Sequence, residues 1–194
     1  MNKKRRLAII IGAVVLVLAI FLVTSYNSLV KKDEKVSLQW NEVQNAYQRR
    51  LDLIPNIVTT VRGGAEFEQN TLVKVTEARS RAASVNVTGL SAESYAAQTA
   101  AQDELAAVAN RLLITVEKYP ELQGTRAFKT LQTQLERTEL RIKMARKDFN
   151  EAIRDYNSSA RNFPMSLAAG LFGFKPKPGF IADAGAEQAT EIKF

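Results

Sequence analysis

The 194 residues leave room for one domain plus appendages, and they contain no cysteine and no histidine. The first absence excludes disulfides, cysteine-based zinc sites and thiol nucleophiles. The second removes the usual general base and transition-metal ligand, so neither a Ser-His-Asp triad nor an H-E-x-x-H zinc site can form. The formal charge of +7 is unevenly placed: Lys3, Lys4, Arg5 and Arg6 precede the first apolar run, and without them 23 Lys and Arg face 20 Asp and Glu, or +3 over residues 7–194. Nucleic-acid binders concentrate basic residues on the folded domain itself, so no nucleic-acid partner is expected.

After the basic residues 1–6, the run LAIIIGAVVLVLAIFLV (residues 7–23) is apolar, and no charge appears until Lys31. As a helix, residues 7–30 would span about 36 Å, enough for a bilayer core with some tilt. A cleaved signal peptide would have a shorter apolar stretch ending in a small-x-small site, and VTSYNSLVKK offers none of that type. The expectation is an uncleaved single-pass anchor in the lipid bilayer of the cytoplasmic membrane. The four basic residues before the segment, against Lys31, Lys32 and Lys35 after it, place the N-terminus in the cytoplasm and the bulk of the chain outside it.

From there the periodicity is helical. Val36, Trp40, Val43, Tyr47, Leu51, Ile54, Val58 and Val61 recur at about 3.6 residues per step. A weaker segment covers residues 65–83, around TLVKVTEARSRAA. An alanine-rich one covers residues 91–118, with Leu105, Val108, Leu112 and Val116 inward and Ser91 as N-cap. Tyr119-Pro120 ends it. A second strong stripe follows at Phe128, Leu131, Leu135, Thr138, Ile142, Ala145, Phe149, Ile153 and Tyr156, with Thr138 as its polar intruder. The fold expected over residues 31–162 is all-α, an antiparallel, up-and-down four-helix bundle behind the transmembrane helix. The alternative is three long helices, if Gly63-Gly64 does not interrupt residues 36–84, which would then form a rod of about 73 Å.

The stretch RRLDLIPNIV interrupts the first stripe with charge and a proline. Arg50 borders the apolar stripe and Arg49 lies about 100° further round, toward solvent. On the last helix Glu136 and Glu139 flank the apolar seam. Arg50 is therefore expected to lie in an interhelical groove, paired with a carboxylate such as Glu139, fixing register more than adding stability. The competing reading is an anionic-ligand site at Arg49 and Arg50. Pro55 either removes the helical bond to the carbonyl of Leu51 and kinks the axis, or falls in the first turn of a new helix capped by Asp52. Carboxylate pairs such as Glu136/Glu139 lack the histidines of a di-metal bundle, so no metal or cofactor is expected.

The tail, residues 163–194, opens with FPMSLAAGLFGFKPKPGF. Glycines and prolines argue against a long helix there. Leu167, Leu171, Phe172, Phe174 and Phe180 nevertheless need burial, against the bundle, in the membrane interface or in another subunit. Lys175 and Lys177 suit anionic headgroups. The terminal EIKF could dock as a short strand on a partner.

Taken together, several motifs resemble the LemA family. They are Tyr26-Asn27-x-Leu29-Val30; Trp40-x-x-Val43-x-x-x-Tyr47-x-Arg49-Arg50-x-Asp52-Leu53-Ile54-Pro55-Asn56; and Thr71-Leu72-x-x-Val75-x-x-Ala78-Arg79. To these add Leu135-Glu136-x-x-Glu139-x-Arg141-Ile142-x-x-Ala145-Arg146-x-x-x-Asn150, Asp155-Tyr156-Asn157, Phe163-Pro164 and Leu171-Phe172-Gly173-Phe174. The resemblance implies a bacterial single-pass membrane protein with a helical-bundle domain and supplies no activity. The chain departs from the family pattern at Gly64-Ala65-Glu66-Phe67, where an aromatic-alanine-x-histidine is expected.

The expected function is a non-enzymatic scaffold or adaptor, working as a homo-oligomer or with other envelope membrane proteins. The alternative is an envelope sensor that binds an anionic ligand beside Arg49 and Arg50. No catalytic residue is assigned. The structural and interaction candidates are Trp40, Arg49, Arg50, Asp52, Pro55, Asn56, Glu139, Arg141, Arg146, Asn150, Tyr156, Phe172, Phe174 and Phe180.

Overall fold

A computed structural model describes residues 3–63, 68–85 and 91–180. Among these, all regular structure is helical: α1 (Lys3–Arg62), α2 (Gln69–Ser84), α3 (Ala92–Val116), α4 (Pro120–Gln123), α5 (Arg126–Arg161) and α6 (Met165–Phe172). The apolar N-terminal run and the first amphipathic stripe are one uninterrupted 60-residue helix. Just after the apolar run, Thr24 turns its hydroxyl back to the carbonyls of Ile20 and Phe21, at 2.9 and 3.0 Å, and so satisfies its own polarity.

Two expectations are corrected here. The single rod over residues 36–84 does not form, because Gly63 is a turn and Glu68 lies outside any helix. The new helix capped by Asp52 does not form either, because α1 continues through Pro55. Ser91 does cap α3, accepting from the backbone N–H of Ser94 at 3.1 Å. Pro120 opens the short α4, where its missing N–H is harmless. The proposed EIKF strand lies outside the described residues.

The chain divides into two compact units. The first comprises residues 1–42 and 147–177, the second residues 43–146 and 178–194. In the second unit one apolar core draws on Leu51, Ile54, Ile57 and Val61 of α1, Leu72, Val75 and Ala78 of α2, Leu105, Ala109, Leu112 and Val116 of α3, and Phe128 and Leu135 of α5. Thr138, 1% exposed, sits within the α5 stripe because its hydroxyl donates to the carbonyl of Gln134 at 2.8 Å. In the first unit Trp40 packs on Phe149, with ring centroids 5.2 Å apart. A smaller cluster there joins Leu29, Ala160 and Ala169 with Met165 and Phe174.

Candidate functional site

Helical spacing carries Arg50 into the second unit's interior, three residues from Tyr47 and four from Ile54, both buried. Its side chain is 2% exposed. The guanidinium meets Glu139 of α5 with two parallel bonds, Nε to Oε1 at 2.8 Å and Nη2 to Oε2. Its Nη1 donates to the backbone carbonyl of Gln102 at 2.9 Å and to that residue's Oε1 at 3.1 Å. Four of the five guanidinium N–H groups are thus used, and three helices meet on one cation. These bonds tie one turn each of α1, α3 and α5 to a single cation.

One turn further along α1, Pro55 cannot donate to the carbonyl of Leu51. Arg79 of α2 does so instead, its Nε lying 2.8 Å from that oxygen. The carbonyl that the proline strips of its helical partner is therefore satisfied from a second helix. Sequence reasoning identified the lost bond but not its replacement. The available signal was a long cationic side chain on the next helix, in the Ala78-Arg79 pair.

A second arginine organises the same unit. Arg146 donates from Nε to the hydroxyl of Tyr47 at 2.8 Å and from Nη2 to Asp103 at 2.9 Å. Its guanidinium carbon stands 5.4 Å from the Tyr47 ring and 5.5 Å from the ring of Phe180. Phe180 also packs on Tyr95, at 5.6 Å between centroids. Burial raises the Tyr47 pKa above the usual phenol value, and the adjacent Arg146 opposes that only in part. For Arg146, burial works against the charge, yet Tyr47 and Asp103 outweigh it and hold the pKa up. Burial likewise raises Tyr95.

The first unit uses its polar groups to hold the tail. Tyr156 donates its hydroxyl to the carbonyl of Lys175 at 3.0 Å. Asn157 pairs with the backbone of Lys177 through two bonds of 2.8 Å, donating from Nδ2 and accepting at Oδ1. The ammonium of Lys177 bonds Asp33 and lies 5.3 Å from the centre of the Tyr156 ring. Lys177 is thus drawn inward rather than presented to headgroups, whereas Lys175 is exposed. Phe172 and Phe174 set their rings 5.0 and 5.8 Å from that of Tyr26.

Of the remaining candidates, Arg49, Asp52, Pro55, Asn56 and Arg141 are exposed and Asn150 is half-buried. Asp52 accepts from Gln48 on its own helix at 2.8 Å. Arg49 and Arg50 do not act together, because one faces out and the other in. Among the described residues no group of three or more His, Cys, Asp or Glu side chains forms a potential metal site. A surface cleft of about 440 Å³ opens in the second unit, lined among others by Lys74, Arg111, Lys118, Val108 and Glu68.

A model of the LemA family matches residues 39–194. Over 65 residues, 34% of this chain, the sequence is 37% identical to magnetosome protein MamQ 2 of Paramagnetospirillum magneticum. It is 35% identical over 65 residues to magnetosome protein MamQ of Magnetospirillum gryphiswaldense. Similarity to protein LemA of Metamycoplasma hominis is 23% identity over 141 residues, 73% of this chain and 58% of that protein. The chain spans about a quarter of the length of the magnetosome relatives it matches, 24% in each case.

Proposed function

This chain belongs to the LemA family, and from that premise we propose a membrane-anchored, non-enzymatic scaffold or adaptor that works through helix surfaces. One observation carries the reading: Arg50, the most buried cation among the described residues of the second unit, is turned inward and bonded to α3 and α5. The polar chemistry of that interior serves assembly of the helices. In this reading the long segments of α1, α2, α3 and α5 pack up-and-down as a four-helix bundle. The outward faces serve self-assembly or other envelope membrane proteins.

The anchor is the N-terminal part of α1, which is long and apolar enough to cross a membrane. We place it in the bacterial cytoplasmic membrane with the N-terminus inside, following the four basic residues ahead of it. Light scattering of the detergent-solubilised protein on size exclusion should give one defined homo-oligomer. Crosslinking in intact membranes followed by pull-down would identify any heterologous partner.

A second reading rests on the cationic cleft. A sensor of an anionic ligand would use Lys74, Arg111 and Lys118 rather than Arg49 and Arg50, because Arg50 is already bonded to Glu139 and Gln102. A monomer whose melting temperature rises with added polyphosphate would favour this sensor over the scaffold.

A further inference from the structure

Helix α6 is held firmly by one face and left apolar on the other. Ala168 and Ala169 are buried, and their small side chains let the helix sit against Leu29 and Ala160. Gly173, with φ +77°, takes the left-handed conformation that ends the helix, and the N–H of Phe174 returns to the carbonyl of Ala169 at 2.9 Å. The chain beyond is then fixed by Tyr156 and Asn157.

The opposite face has no cover among the described residues. Leu167 is 63% and Leu171 67% exposed, and their spacing of four aligns them on one side of the helix; Phe163, in the turn just before it, is 81% exposed. No charged residue occurs from Asn162 to Phe174. A short helix on a water-facing surface would carry polar residues there.

The level at which α6 is attached says what covers this face. Phe172 and Phe174 pack on Tyr26, and Ala169 clusters with Leu29. Tyr26 and Leu29 belong to the uncharged segment 7–30 of α1, whose apolar side chains from Leu7 to Ile20 are likewise exposed. Both apolar surfaces lie in the same compact unit. The nearest charges in sequence on either side of α6, Arg161 and Lys175, are both cationic and both exposed.

We propose that α6 lies in the interface of the bilayer spanned by α1, with Phe163, Leu167 and Leu171 among the acyl chains and Arg161 and Lys175 at anionic headgroups. This rests on the anchor reading of α1 and adds to it: α6 is a second, peripheral contact with the same bilayer. A tyrosine at the headgroup level between two phenylalanines fits the aromatic composition of membrane interfaces.

Because the chain has no cysteine, single labels can be introduced without removing any residue. The full-length protein would carry a nitroxide at Leu167→Cys, Leu171→Cys, Leu16→Cys or Glu136→Cys, and be reconstituted into phosphatidylcholine vesicles with and without phosphatidylglycerol. Collision with oxygen reports lipid, and collision with a neutral nickel chelate reports water. Positions 16, 167 and 171 should favour oxygen, by several-fold over position 136, and the ratio at 167 should rise when phosphatidylglycerol is present.

Oxygen preference at 16 with nickel preference at 167 and 171 would overturn the interfacial placement and leave the anchor intact. Nickel preference at all four positions would instead overturn the anchor reading, and the placement with it. Spin–spin broadening at 167 that disappears on dilution with unlabelled protein would assign the face to a second copy and overturn the lipid assignment. A ratio at 167 indifferent to phosphatidylglycerol would remove the role given to Arg161 and Lys175.

Discussion

Two regions of this molecule hold helical chain in place by opposite means. Around Arg50, a charge 2% exposed is matched on four of its five N–H groups by α3 and α5, while its partner Glu139 keeps 35% of its side chain in solvent. Around Lys177, the stretch after α6, residues 174–177, lies outside any helix and is held by backbone-directed bonds from Asn157 and Tyr156 and by the ion pair of Lys177 with Asp33. The first arrangement makes a wrong register expensive, because misaligned helices would leave a buried cation unpaired. The second tolerates sequence change at Lys175, because its carbonyl is bonded whatever side chain it carries.

The contrast is sharpest under truncation of Arg50. Arg50→Met should cost the second unit about 3 kcal/mol in denaturant unfolding, since Glu139 and Gln102 lose their shared partner. Adding Glu139→Met should recover a large share, because no lone charge then remains. An unchanged melting temperature and assembly state in Arg50→Met would remove the register role altogether.

Next in size is the joint at Pro55. Arg79→Met should cost about 2 kcal/mol by leaving the Leu51 carbonyl without a donor. In a Pro55→Ala background the restored N–H serves that carbonyl, and the same Arg79 change should cost less than about half as much. Equal costs in both backgrounds would show that Arg79 acts elsewhere.

The tail should respond more mildly. Asn157→Ala removes both bonds to the backbone of Lys177 and should cost about 1 kcal/mol. Trp40 is the single tryptophan and packs on Phe149 in the same unit, so its fluorescence reads this loss directly. A shift as large as that of Arg50→Met would erase the distinction between the two regions.

The smallest effect is alkaline. Tyr47 and Tyr95 have pKa values raised by burial, so the folded state binds their protons more tightly than the unfolded state. Stability from them is complete below the ordinary phenol value of about 10 and falls as pH rises past it toward the folded value. Tyr47→Phe should flatten part of that decline, which urea midpoints taken across the alkaline range would register.

Much of this was legible in the residues. The spacing of the two strong stripes marks α1 and α5, and every residue of the second stripe is buried apart from the partly buried Leu131. The same spacing set Arg50 and Glu139 at the edges of their seams, and the structure joins them. Helix α3 was harder to read. Its inward face runs from Tyr95 through Gln98 and Gln102 to Leu105, Ala109 and Leu112, so its first half is polar and gives no hydrophobic signal. Gln102, Asp103 and Arg79 owe their roles to which turn of one helix stands opposite another, and periodicity within a helix is silent on that.

Pro55 also bears on the order in which the fold can form. A helix ordinarily closes its own ladder, so its middle can become regular before any neighbour docks. In α1 one rung is completed by a side chain 28 positions later, on a different helix. Until α2 arrives, water must serve that oxygen. The Leu51 carbonyl should therefore exchange a water partner for a guanidinium partner as α2 docks, and isotope-edited infrared spectroscopy of that carbonyl during refolding would time the docking.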